Sequence, residues 1–183
     1  MDHYLDISLL PDPEFPATLL MNAIYSKLHK ALYDLEAKNI GVSFPNHDST
    51  LGNMLRVHGD KAALRVLQEK NWIGGMSGYC TVSNLLPVPD GTKFRTVSRK
   101  QTTMSQAKLR RLLKRGSISE DQVQQYKAKM FTQGLDNPYL ELVSSSTGQK
   151  HRRYIQFGEL KNVATHGQFD YFGLSKTATV PWF

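Results

Sequence analysis

Along the first ninety residues, apolar and polar positions follow two clear periods. Residues 4–10 alternate, with Leu5, Ile7 and Leu9 on one side and Tyr4, Asp6 and Ser8 on the other, the signature of a half-buried strand. Pro11, Pro13 and Pro16 punctuate the next loop, and Pro16 can open a helix at its first position. Met21, Ile24, Leu28, Ala31, Leu32 and Leu35 recur at helical spacing, which predicts a helix over about 16–37. Ile40, Val42 and Phe44 alternate as a second strand stopped by Pro45, and Met54 to His58 reads as a third. Asp60 is placed to cap a helix through Leu67, and Thr81 to Leu86 reads as a fourth strand. The order is β-α-β-β-α-β, the ferredoxin-like arrangement. It lacks the aromatic sheet motif of an RRM, and the order by itself does not give a function.

The second half is less regular. Residues 94–101 look extended, and Ser105 can cap a helix through Arg115 that Gly116 ends. Ser119 with Glu120 and Asp121 starts another short helix, and 139–147, 152–157 and 168–173 read as strands. The proline-rich stretch Pro87–Gly91 is a fair boundary. The expected fold is therefore α+β: an N-terminal ferredoxin-like (βαββαβ) domain over 1–91 and a C-terminal α+β domain over 92–183 carrying a basic helix.

Composition narrows the class. The chain has 183 residues, 40% of them hydrophobic, and a mean hydropathy of −0.42, as expected of a soluble globule. No apolar run approaches the roughly 18–20 residues that span a bilayer. The N-terminus has no signal-peptide pattern. A single cysteine, Cys80, excludes an internal disulfide or a thiolate zinc cluster. A reduced, cytoplasmic location without membrane attachment is the expectation.

The net charge of +7 is unevenly placed. Residues 1–91 hold seven lysines and arginines against ten acids, and 92–183 hold sixteen against six. Between Asp90 and Glu120 there is no acid at all, while Lys93, Arg95, Arg99, Lys100, Lys108, Arg110, Arg111, Lys114 and Arg115 crowd together. Charge this dense repels itself unless a polyanion relieves it, and a phosphate backbone is the usual one. A solvated helix face is the plainer alternative. On a helical wheel, Leu109, Leu112 and Leu113 occupy an arc of about 100° and Lys108, Arg110, Arg111, Lys114 and Arg115 one of about 160° opposite. Such a rod, docked by its leucines, suits a nucleic-acid groove. Arg99 and Gln101, two apart in an extended segment, point to one side. Arg matches the edge of guanine and Gln that of adenine, although two surface residues on an edge strand would look the same.

Candidate chemistry is sparse. There is no phosphate-cradling loop, no His-Glu-x-x-His and no nucleophile elbow, and the scattered acids of the C-terminal half disfavour a two-metal centre. Histidines and hydroxyls remain. RNA permits a metal-free cut because its own 2′-OH can attack the adjacent phosphate, given a group to take that proton and another to assist the leaving oxygen. Of His3, His29, His47, His58, His151 and His166, His29 lies at the margin of the apolar stripe of the long helix. There it can touch protein on one side and substrate on the other, or be an ordinary helix-edge histidine. Ser144-Ser145-Ser146-Thr147-Gly148 is a hydroxyl-rich strand end with Ser144 and Ser146 on one face, or a plain strand-to-turn segment.

Taken together, the residues resemble the repeat-processing endoribonucleases of type I-F CRISPR systems. The matching segments are Met1-Asp2-His3-Tyr4-Leu5-Asp6-Ile7, Lys27-Leu28-His29, Ile40-Gly41-Val42-Ser43-Phe44-Pro45, Val97-Ser98-Arg99 with Gln101, Leu109-Arg110-Arg111, Ser146-Thr147-Gly148-Gln149, Gly173-Leu174-Ser175-Lys176 and Val180-Pro181-Trp182-Phe183. The resemblance implies binding of the CRISPR repeat hairpin and a cut at the 3′ base of its stem without metal or cofactor. The ends are a 2′,3′-cyclic phosphate and a 5′-OH. The protein then stays on the crRNA among the other subunits of the type I-F surveillance complex. It implies a catalytic role for His29, a 2′-OH-constraining role for Ser144, support from Ser146 and Thr147, and base reading by Arg99 and Gln101. Lys108, Arg110, Arg111, Lys114 and Arg115 fall on the groove-binding helix. Two departures concern the site: Phe172, preceded by Tyr171, stands where the family pattern has tyrosine, and His151 stands where it has an aromatic that stacks under the last base pair. Leu112 and Gly116 replace two arginines of the helix. A non-cutting hairpin-binding subunit and, more remotely, a DNA-binding regulator are the competing readings.

Overall fold

The structure, a computed structural model, describes residues 1–101, 106–132, 136–143 and 148–183. It is a mixed α+β fold. Backbone contacts divide it into two compact units, Met1–Arg99 with Asn137–Phe183, and Lys100–Asp136.

The large unit opens with β1 (His3–Leu9), α1 (Ala17–Asp34), β2 (Gly41–Ser43), β3 (Met54–Gly59), α2 (Lys61–Glu69), a 3₁₀ turn (Gly74–Tyr79) and β4 (Cys80–Val82). The strands form an antiparallel sheet in the order β2-β3-β1-β4. Register follows the alternation in the sequence. Leu5 faces Val57 and Ile7 faces Leu55, all at most 1% exposed. The α1 stripe of Leu20, Met21, Ile24, Tyr25, Leu28, Ala31 and Leu32 belongs to the same core. Each aliphatic side chain fully buried there contributes roughly 1.5–3 kcal/mol. Asp60 caps α2 as its sequence position predicts, its carboxylate accepting from the Ala63 N–H at 2.7 Å. Pro16, expected as the first helical residue, instead occupies the cap of α1, one residue before Ala17, and its carbonyl accepts from Leu19 and Leu20.

The fourth strand divides. Ser83 breaks it because its hydroxyl accepts from the Asp6 N–H at 2.9 Å. The chain resumes only as β5 (Leu86–Pro87), paired with the other end of β1.

The other face of the sheet is covered by the chain's own C-terminus. Arg56, 8% exposed, grips Asp6 through Nε and Nη2 at 2.6 and 2.9 Å and donates from Nη1 to the Phe183 oxygen at 2.8 Å. Phe183 lies edge-on to Tyr4. The extended segment at 94–101 resolves into β6 (Lys93–Arg95) and β7 (Val97–Lys100). β8 (Tyr139–Val143) and β9 (Lys150–Phe157) join β7 in the order β7-β9-β8. Val97, Leu140, Leu142 and Ile155 merge with the core of the first sheet.

Residues 168–173 do not form the expected strand: 168–170 are irregular and the chain turns over 170–174. Asp170 Oδ1 accepts from the N–H groups of Phe172 and Leu174, both at 2.9 Å. Gly173 supplies the positive φ of +69° that closes the loop. Their alternating apolar pattern serves instead to lay the loop along β2, with the Val42 N–H donating to the Gly173 carbonyl at 3.0 Å. The last strand, β10 (Val180–Trp182), pairs with β6 in a two-stranded ribbon. Pro181, which lacks an N–H, is tolerable in such an edge ribbon and hides the strand from a propensity reading.

The small unit holds α3 (Gln106–Lys114) and α4 (Glu120–Thr132). Gly116, at φ +64°, ends the first. Ser119 and Gln122 form a reciprocal cap for the second: the Gln122 N–H donates to Ser119 Oγ, and the Ser119 N–H to Gln122 Oε1. The expected cap Ser105 lies outside the described residues.

Candidate functional site

His29 is carried by the middle of α1, one residue after the buried Leu28. The helix fixes its backbone and the 170–174 turn fixes its ring. Nδ1 lies 2.9 Å from the Tyr171 carbonyl. A carbonyl can only accept, so Nδ1 carries the proton and Nε2 keeps the lone pair in the neutral ring. The imidazole stacks on Phe172 at 3.5 Å between centroids with 12° between planes. Phe172 is itself held, because the buried Tyr25 hydroxyl donates to its carbonyl at 2.6 Å. Burial pushes the Tyr25 phenol far above its ordinary range, so it stays a donor.

The Arg153 guanidinium carbon lies 3.5 Å from the Phe172 centroid. Two planar groups at that distance must take opposite faces, so the order is imidazole, phenyl, guanidinium. Arg153 was not evident from the sequence. The available signal was parity: in β9 it shares a face with His151 and Ile155, and it pairs with the buried Leu140. A charged residue at a core position needs a reason to be there. Burial depresses its pKa, and the neighbouring charge of Arg99 adds to that. It remains a cation throughout the physiological range.

These groups line an open groove of about 730 Å³ with Ser26, Lys30, Tyr33, Asp34, Leu142, Val143 and His151. The structure thus brings His29, His151 and Phe172 together although they come from α1, β9 and the C-terminal turn. The Lys30–Asp34 pair at 2.7 Å is exposed on the next turn of α1. Tyr171, beside the site residue Phe172, turns its ring to Tyr33 and contributes only its carbonyl to His29. Ser144, Ser146 and Thr147 lie outside the described residues; β8 ends at Val143, on the groove wall.

Arg99 is exposed near the end of β7, and Gln101 is exposed just beyond that strand. On α3, Lys108, Arg110, Arg111, Lys114 and, just after it, Arg115 are all exposed. Among the described residues no ion pair engages Arg110, Lys114 or Arg115. The expected leucine stripe is narrower than the wheel suggests. Leu109 is buried at 2%, Leu112 is intermediate, and Leu113 is 50% exposed beside Val123 of α4. Alternation on a wheel gives direction but not whether a neighbour fills the far edge of the stripe.

Fold and groove together describe an α+β protein with a restrained histidine and a buried arginine in one open cleft. Residues 4–183 match the family described as CRISPR-associated protein (Cas_Csy4). Over the full length of both chains it is 41% identical to the CRISPR-associated endonuclease Cas6/Csy4 of Escherichia coli (strain UTI89). It is 42% identical, again over both full lengths, to the protein of the same name from Pseudomonas aeruginosa (strain UCBPP-PA14). The chain belongs to the Csy4 family of CRISPR-associated proteins. A more distant likeness, at TM-score 0.40 and 14% identity over 98% of this chain and 100% of the other, is to a structure of the CRISPR endoribonuclease Cse3 bound to a 19-nucleotide RNA. Among the described residues no helix is long and apolar enough to cross a membrane.

Proposed function

We propose that this protein is a site-specific endoribonuclease that binds the stem-loop of a CRISPR repeat and cuts precursor crRNA at the 3′ base of the hairpin. The observation that carries the reading is His29: a ring restrained through Nδ1 and through its face, with Nε2 left as the acceptor, in a groove that it shares with Arg153. Membership of a family whose curated relatives are named endonucleases supports it.

The reaction is a transesterification that uses no metal ion. The 2′-oxygen attacks the adjacent phosphorus, the O2′–P bond forms and the P–O5′ bond breaks. The products are a 2′,3′-cyclic phosphate and a 5′-OH. Neutral His29 can take the 2′-OH proton at Nε2, and the protonated ring can return one to O5′. Ser144 constrains the attacking ribose, with Ser146 and Thr147 in support. Arg99 and Gln101 set the register at the stem base, and His151 offers a stacking face for the last base pair. Lys108, Arg110, Arg111, Lys114 and Arg115 supply affinity through phosphates.

In this reading residues 1–91, with their βαββαβ order and β2-β3-β1-β4 sheet, are a ferredoxin-like module carrying the histidine. Residues 92–183 supply most of the RNA contacts. The protein keeps its hairpin product and enters the crRNA-guided surveillance complex with it. The test is incubation with a repeat hairpin in EDTA, beside the same RNA carrying a 2′-deoxy nucleotide at the cut site. Cleavage of the first alone is the expected result. Tight binding with cleavage of neither identifies a non-cutting hairpin-binding subunit.

A further inference from the structure

Arg153 has no task in the reaction as drawn. It is 7% exposed, and a guanidinium is buried at a cost unless partners replace the water it loses. Among the described residues no carboxylate pairs with it and none of its nitrogens donates a hydrogen bond; Nε is fully enclosed without a partner. Tyr25 and Asp170 act on it only through space. One face is covered by Phe172. Phe172 on one face does not block the in-plane N–H groups of Nη1 and Nη2, which are not enclosed as Nε is. Their fork is the geometry that binds a phosphate bidentately.

Arg153 lines the same groove as His29. Two 3.5 Å steps across Phe172 put its central carbon at most 7 Å from the imidazole centroid. A phosphate reaching over the edge of the phenyl ring, with hydrogen bonds of about 2.8 Å on either side, spans that interval.

We propose that Arg153 is a catalytic residue whose guanidinium binds the phosphodiester that is cut and stabilises the charge that grows on its non-bridging oxygens. The proposal rests on the endoribonuclease reading. It adds a fixed cation to the site and moves no proton. As O2′–P forms and P–O5′ breaks, His29 handles the protons and Arg153 faces the phosphorane oxygens. A buried cation without a protein partner is suited to this, since it needs no reorganisation when the anion arrives.

The test compares the native chain with Arg153→Met and Arg153→Lys in single-turnover cleavage, with hairpin affinity measured on the 2′-deoxy RNA and folding checked by thermal melting. The methionine variant is expected to cleave about 10²-fold more slowly with affinity changed by less than about threefold, and the lysine variant to fall between. The native chain is expected to discriminate between the two phosphorothioate diastereomers at the cut site, and Arg153→Met to lose that discrimination. A merely structural role would not move this ratio. Native-rate cleavage by Arg153→Met, or a slow variant that keeps the full diastereomer ratio, overturns the proposal. If the native chain leaves the hairpin whole, the endoribonuclease reading fails by itself. Arg153 is then judged by titrating inorganic phosphate against its Nε–H NMR signal. A saturable shift absent from Arg153→Lys supports the anion site, and a signal that does not move refutes it.

Discussion

The two compact units differ in what they spend their residues on. Among the described residues, Met1–Arg99 with Asn137–Phe183 contains every buried hydrophobic side chain except Leu109. Lys100–Asp136 contains eight lysines and arginines against three acids in its 37 residues. The difference separates positioning from attraction. Chemistry at one phosphodiester requires a ring held in one orientation, and only dense packing holds it. Attraction to a polyanion requires charge on a face and tolerates side chains that move.

Four measurements sharpen or break this contrast. The largest effect expected is from His29→Ala, which should slow cleavage by about 10³-fold or more while hairpin affinity stays within a few fold. Joint loss of binding and cleavage would make His29 a structural residue and collapse the distinction.

Acid should act on the packed unit. Burial lowers the pKa of His58 from 6.5 to about 3, and the adjacent Arg56 adds to this. Its Nε2 meets the Ser43 hydroxyl at 2.7 Å. The unfolded chain takes up a proton near pH 6.5 that the folded chain refuses down to about pH 3. The His58 contribution to stability is therefore fully present above pH 6.5 and falls by about 1.4 kcal/mol per unit as pH drops through that window. Urea titrations from pH 7 to 4 check this, and the dependence should weaken in His58→Gln.

The helix should respond the other way. Replacing Arg110, Lys114 and Arg115 together by glutamine is expected to weaken hairpin binding about 10- to 100-fold and lower the slope of log affinity against log salt by about 2–3. Melting temperature and the cleavage rate of saturated complex should hold. An unchanged slope would remove these cations from the interface. The smallest effect is expected from Phe172→Leu, which keeps bulk but loses both stacks: roughly a tenfold slower cut at unchanged affinity. A native rate would show that the Tyr171 carbonyl alone orients His29.

Much of this was legible in the chain. The alternation of Leu5, Ile7 and Leu9 and the α1 stripe of Met21, Ile24, Leu28, Ala31 and Leu32 were readable because burial on one side of a regular element imposes its own period. The cation cluster from Lys93 to Arg115 was readable because charge is counted, not folded. His29 stood out only as a marginal position on its helix, and the resemblance singled it out. Arg153 escaped because its meaning depends on Phe172, nineteen residues away and on another element. Residues 168–173 looked like a strand because an apolar turn and an apolar strand share a pattern until Asp170 is seen capping it.

The sequence by itself determined the periodic elements, the mixed α+β class and the basic half, since each follows from local period or from composition. Only the tertiary structure decided that α1, β9 and the C-terminal turn meet to stack imidazole, phenyl and guanidinium. Such a stack is a relation between distant residues, and the energy that fixes it comes from the packing of the elements that carry them.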